Sequence, residues 1–206
     1  MAYASWLIPS KTSGSGNDTV SVSAGSNNTG RNARTTTMTF SAANCDNVVR
    51  TVNQSGKPEF VTIESTKSVA KAGVTTLTIT GTSNSSKLTF SLGTGDLTLT
   101  LPTTYTANSV ETNNGSAITG DPGAAQEYAF SISFSNISTN ETIAAKTKQL
   151  IVTDNAGNST TCTITQTAGD ATLSVSPASV TLDWDAYTQS GSASFTVTSN
   201  TNWTVS

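Results

Sequence analysis

The stretch "SFTVTSNTNWTVS", residues 194–206, decides how the chain is read. Phe195, Val197, Trp203 and Val205 alternate with small polar residues, the mark of a strand facing inward at every second residue, a short polar turn, and a second strand. Leu173, Val175, Val180 and Leu182 continue the same alternation upstream. The segment supplies one apolar face and no facing sheet of its own. That is half of a core.

The same alternation fills the rest of the chain. "TTMTFSA", "FVTIEST", "TTLTITG", "KLTFSL", "DLTLTLP", "YAFSISFS", "QLIVTD" and "TCTITQ" read as short strands between Gly, Asn, Asp and Pro clusters. Helix signals are nearly missing. "NETIAAKTKQL", residues 140–150, is readable as a weak helix or as a loop entering the strand "KQLIVTD", and the loop is preferred. The fold class is all-β: immunoglobulin-like β-sandwiches in tandem, with an incomplete sandwich split between the two chain ends.

Two strands end alike. "VNQSGKPEF" from Val52 and "ITQTAGDATL" from Ile164 each run through a Gln and a small polar turn into a new strand, and they are read as junctions. The chain then divides into an N-terminal piece (1–57), a central sandwich (58–169) and a C-terminal piece (170–206). The central part has the size of one immunoglobulin-like sandwich. Its residues 111–126 read as an exposed Gly/Asn-rich loop, and "TDNAGNST" as a hairpin turn. Neither outer piece is long enough to build two facing sheets.

Composition excludes several classes of function. Of 206 residues, 11% are charged and the net charge is −3, so no basic surface points to nucleic acid. Histidine is absent, which removes the commonest general base and metal ligand. The carboxylates show no facing pair for glycoside hydrolysis, and there is no Gly-x-Ser-x-Gly elbow. No catalytic residue, metal site or cofactor is expected. No apolar run approaches the ~20 residues that span a membrane. "MAYASWLIPSKTSG" lacks a basic and an apolar signal region, which fits synthesis inside a cell, a mature or recombinant fragment, or a virion protein assembled in the host. Cys45 and Cys162 fall in different pieces and are read as two free, mostly buried thiols.

The outer pieces resemble the BACON family of immunoglobulin-like modules, known from gut Bacteroidetes and their tailed phages. The carriers of the resemblance are Ser176-Pro177, Phe195, Val197, Asn200 and Trp203 at one end. At the other they are Trp6-Leu7, Ser13-Gly14, Asn17, Val20, Val22, Asn28, Arg34 and Gln54-Ser55-Gly56. A family member would open like residues 171–206 and continue like residues 4–56, so the pattern is present in reversed order. Three arrangements fit: the ends meet within one chain, they meet between neighbouring chains, or the chain is a segment of a longer tandem array.

Geometry favours the second. An odd-stranded sandwich puts its termini on the order of 35–40 Å apart, and the four-residue link 168–171 reaches only about 14 Å. An even strand count would allow self-closure. The residues expected to assemble are Leu173, Val175, Val180, Leu182, Phe195, Val197, Trp203 and Val205 with Trp6, Leu7, Val20 and Val22. Trp6 and Trp203 are expected in cores.

Asp183-Trp184-Asp185 offers a second kind of site, an exposed indole with carboxylates for a sugar or a calcium ion, against the plainer reading of a strand end with its acids in water. Tyr105, Tyr128 and Tyr187 have the chemistry to line a binding face. The expected function is a non-enzymatic structural protein, a phage virion component whose partners are other copies or other virion proteins. The alternative is a carbohydrate- or mucin-binding module of a bacterial surface or secreted system, with glycans as partners.

Overall fold

The computed structural model describes residues 3–182 and 193–206. The protein is all-β, and the only helical turn among the described residues is a short 3-10 segment, Pro122–Ala124. Among the described residues fifteen strands form five sheets.

Nine of these strands make one sandwich. The five-stranded sheet is β10-β9-β11-β7-β5, from Val110–Asn113, Thr104–Ala107, Tyr128–Ile137, Val74–Ser83 and Val61–Ile63. The four-stranded sheet is β6-β13-β12-β8, from Thr66–Val69, Ser159–Gln166, Lys146–Asp154 and Leu88–Leu92. All neighbouring pairs are antiparallel except β6 with β13.

Alternation sets what goes inside. In β7, Leu77 and Ile79 are buried while Thr76, Thr78 and Thr80 face out. In β11, Phe130, Ile132 and Phe134 are buried. The inner faces meet in one core, where the Phe90 ring lies 4.9 Å from Tyr105 and 5.8 Å from Phe130. The outer faces carry Ser and Thr, whose hydroxyls pair across strands, as Thr78 with Ser133 at 2.9 Å and Thr62 with Thr82 at 2.7 Å. Such ladders solvate a sheet with little charge, matching the composition. Gly81 leaves space for a neighbour: a Cβ there would stand 2.4 Å from Phe130 Cζ.

The β12–β13 turn is the expected hairpin. Asp154 accepts from the Asn158 amide and side chain, both at 2.8 Å, and Gly157 takes a positive φ of 91°. Residues 140–145 form a loop into β12, as the sequence indicates.

Three local expectations need correction. Residues 111–126 are not simply an exposed loop: Thr112 and Ile118 are buried, and Ile118 donates its N–H to Ser86 O at 2.9 Å, closing one end of the sandwich. "DLTLTLP" is not a strand but the crossover from β8 to β9. Leu97 is buried there, with Leu99 and Leu101 against the core and no ladder. Tyr105 and Tyr128 are core residues rather than a binding face. Tyr128 Oη donates to Ser85 O at 2.9 Å, and burial raises the pKa of its phenol.

The remaining strands form two-stranded sheets. β1 (Leu7–Pro9) pairs with β2 (Val22–Ala24), and β3 (Arg34–Phe40) with β4 (Val48–Gln54). β14 (Leu173–Ser176) pairs with β15 (Thr196–Ser199).

Cys162 is buried in β13, whereas Cys45 is exposed in the β3–β4 turn, so only one thiol is buried as expected. Burial pushes the Cys162 pKa up to about 11. In the native protein at pH 8, Cys45 is expected to react with a thiol reagent while Cys162 is protected until denaturant is added. Intact mass after labelling would show one adduct, then two; two adducts without denaturant would contradict this packing.

Candidate assembly surfaces

The N-terminal surface is built by β1–β2 against β3–β4. Leu7 and Met38 are buried between them, and the Ala4 N–H donates to Thr36 Oγ1 at 3.0 Å. The Arg34 guanidinium lies 4.9 Å over the Trp6 ring, and its Nε donates to Gln54 Oε1 at 2.7 Å. Trp6 is therefore half-buried beneath a cation rather than in a core. What this packing leaves open is apolar: Ile8, Val22, Phe40, Val48 and Val49 are all exposed. Pairing of Phe40 with Val48 and of Met38 with Arg50 puts these four side chains on one face. Beside it is a cleft of about 360 Å³, lined by Pro9, Val20, Met38 and Phe40 among others.

The C-terminal surface is the β14–β15 pair. Leu173, Val175, Leu182, Phe195 and Trp203 are all about half exposed or more, and Val205 is 85% exposed. Val180 and Val197 are half-buried. Trp203 is thus outside any core formed within this chain. The second strand read at residues 203–205 is absent, and Val180 and Leu182 also lie outside any strand. A strand needs a neighbour for its N–H and C=O groups, and none is offered there. Asp183, Trp184, Asp185 and Tyr187 lie outside the described residues.

These surfaces sit at opposite ends of the sandwich. The N-terminal piece joins the Ser83 end of β7. There the Arg31 and Asn32 N–H groups donate to Gly123 O and Ala124 O at 2.9 and 3.0 Å, and Arg31 is ion-paired with Asp121. The C-terminal piece joins the Val74 end, where Lys71 pairs with Asp170. β7 has ten residues, so nine rises separate the two ends by about 30 Å. Among the described residues no hydrogen bond links 170–206 to 1–57.

Each joint is organised by an asparagine: Asn84, which sequence reasoning missed, and Asn200, which it named only as a carrier of the resemblance. Asn84, fully buried, donates to Thr29 O at 3.3 Å, Lys57 O at 3.2 Å and Pro58 O at 3.2 Å, and accepts from the Phe60 N–H at 3.0 Å. Asn200 donates to Glu141 O at 3.1 Å and Asp170 O at 2.8 Å, and accepts from the Thr172 N–H at 2.9 Å. The signal was present in the sequence: "TSN" occurs at both 82–84 and 198–200.

None of this resembles a reaction centre. Among the described residues no three His, Cys, Asp or Glu side chains are grouped to hold a metal ion. No helix among them is long and apolar enough to cross a membrane. No curated protein matches the chain. Residues 1–55 match the family model BACON, described as "Putative binding domain, N-terminal", and the chain therefore carries a BACON-type domain over that segment.

Proposed function

We propose that this chain is a non-catalytic structural protein that acts by assembly through immunoglobulin-like sandwiches, and that its setting is a phage virion, as a capsid decoration, head fibre or tail accessory. The supporting observation is the pair of open apolar surfaces carried by pieces that join opposite ends of one sandwich, whose strand β7 is about 30 Å long. Joining one surface to the other on a neighbouring copy is a heterologous contact, which propagates into a ring or a filament. The matched family's description as a binding domain agrees with association rather than chemistry. The virion setting draws on the resemblance of both outer pieces to modules found in tailed phages.

Sedimentation of the purified chain across about 1–100 μM is expected to show mass rising with concentration, the behaviour of a reversible contact between copies. Mass spectrometry of purified virions is expected to find the chain among the structural proteins. A monomer throughout that range, with no virion component retained on it, would remove the assembly reading.

A further inference from the structure

The hydrogen bonds of the two joints are the same bonds, displaced along the chain. Asn28 donates to Asn32 O at 2.8 Å and Ser55 O at 3.2 Å, and Asn140 donates to Ala144 O at 2.8 Å and Thr167 O at 3.0 Å. In both cases the acceptors lie 4 and 27 positions on, and the two sets are 112 residues apart. Lys57 N–H to Gly30 O at 2.8 Å matches Gly169 N–H to Thr142 O at 2.7 Å.

The openings repeat as well. Ser83 Oγ to Phe60 O at 2.7 Å matches Ser199 Oγ to Thr172 O at 2.8 Å. Ser85 N–H to Ser83 Oγ at 2.9 Å matches Thr201 N–H to Ser199 Oγ at 3.1 Å. The strand registers agree: Val61 opposite Ser83 and Ile63 opposite Gly81 become Leu173 opposite Ser199 and Val175 opposite Val197. Phe40 opposite Val48 repeats Val152 opposite Thr160.

The C-terminal piece is therefore a second copy of the sandwich's opening strands, and the N-terminal piece a second copy of its closing strands. The central sandwich shows how an opening and a closing fit. In it β8 lies on β12 with Phe90 opposite Val152, and β7 lies on β11 with Ile79 opposite Ile132. Transferring these pairs replaces Val152 by Phe40, Ile132 by Val20 and Ile79 by Phe195; with one residue fewer after Thr201, Trp203-Thr204-Val205 matches the inward-outward-inward run Leu88-Thr89-Phe90, which replaces Phe90 by Val205. All four are in the open surfaces, and Val20 and Phe40 line the N-terminal cleft.

From this we infer that the occupant of the N-terminal surface is residues 171–206 of a second copy, seated with Val205 opposite Phe40 and Phe195 opposite Val20. Residues 203–205 become a strand only there, on the partner's β3. The inference rests on the assembly reading and adds its register. One charge enters the new face: Arg50 stands where Cys162 stands in the central sheet. It is exposed, and its guanidinium donates to Val49 O at 3.0 Å, so its stem can cover apolar surface while its head stays at the rim.

The test is disulfide trapping in the full chain with Cys45→Ser. One variant carries Val20→Cys with Phe195→Cys, a second Phe40→Cys with Val205→Cys. A control carries Val20→Cys with Thr196→Cys, whose second thiol points to the other face. Opposed residues on antiparallel strands have Cα atoms about 4.5–5.5 Å apart, within disulfide range. Mild oxidation is expected to give a ladder of covalent oligomers for both matched pairs, about tenfold faster than the control, because only they bring the two sulfurs together. Equal rates in a chain that still associates would overturn the register and leave assembly standing. Oxidised monomers in place of a ladder would overturn pairing between copies. Absence of both association and cross-links would remove the inference and the assembly reading together.

Discussion

Asn84→Ala is expected to destabilise the central sandwich by about 3 kcal/mol, the largest loss from any single polar substitution here. The side chain is fully buried and bonds four backbone groups from two segments. Alanine removes their partner, and the backbone of Asn84 is itself held tightly: Gly123 packs so closely that a Cβ on it would stand 2.0 Å from Asn84 O. Each buried group left unpaired costs about 1–3 kcal/mol, with part recovered by relaxation. Urea unfolding followed by tryptophan-independent far-UV signal is expected to show a midpoint lower by about 1–2 M at unchanged slope. Asn84→Asp keeps the shape and the acceptor for Phe60 N–H but turns a donor toward three carbonyls into a carboxylate oxygen, and it is expected to be at least as damaging. Asn200→Ala, the exposed equivalent in the C-terminal piece, is expected to cost under about 1 kcal/mol, since water can serve its partners. A loss below about 1 kcal/mol for Asn84→Ala would mean that the joint is held by packing rather than by this amide.

The fold class was legible because a strand with one buried face writes its alternation into the sequence. Leu77 and Ile79, Phe130 through Phe134, and Leu150 with Val152 all read correctly for that reason. "DLTLTLP" shows the limit of the rule: the alternation is there, but a strand also needs a neighbour, and this stretch bridges two sheets instead. Residues 111–126 misled in the opposite sense. Their Gly, Asn and Asp content signals a loop, yet a single apolar residue, Ile118, is enough to plug the end of the sandwich. Tyr105 and Tyr128 sit among polar neighbours, but each occupies an inward position two residues from Ala107 or Phe130, and position outweighs polarity when the hydroxyl is at the end of a long ring. The 112-residue repeat was the least legible feature. It is carried by asparagine and serine side chains whose worth lies in which carbonyl they reach, and hydrophobic periodicity says nothing about that. Trp203 and Val205 carry the alternation of an inward-facing strand, but in this structure both are exposed and outside any strand, because no neighbouring strand is there to pair with them.

Deleting residues 171–206 is expected to abolish association while leaving the central sandwich folded. Among the described residues, the core of that sandwich, from Val61 to Ile164, takes no side chain from beyond residue 170, so its thermal midpoint should move by no more than about 2 °C. The deleted segment carries Leu173, Val175, Val180, Leu182, Phe195, Val197, Trp203 and Val205. Burying a side chain of this kind gains roughly 1.5–3 kcal/mol, so the set as a whole offers on the order of 10 kcal/mol or more before the cost of association. That cost is about 4–15 kcal/mol, which places the net affinity near the micromolar range and makes it sensitive to losing any part of the set. The open edges left by unpaired strands act in the same direction, since their N–H and C=O groups gain partners only on pairing. A separate peptide of residues 171–206, added to the truncated chain, is expected to bind it once per chain and to protect the β3 and β4 amides from hydrogen exchange, without restoring long assemblies, because the peptide has no second surface to pass on. Calorimetry gives the stoichiometry, and exchange mass spectrometry shows where the peptide sits. Association of the truncated chain as strong as that of the full one would mean that the N-terminal surface pairs with itself, and the heterologous arrangement would give way to a two-fold one.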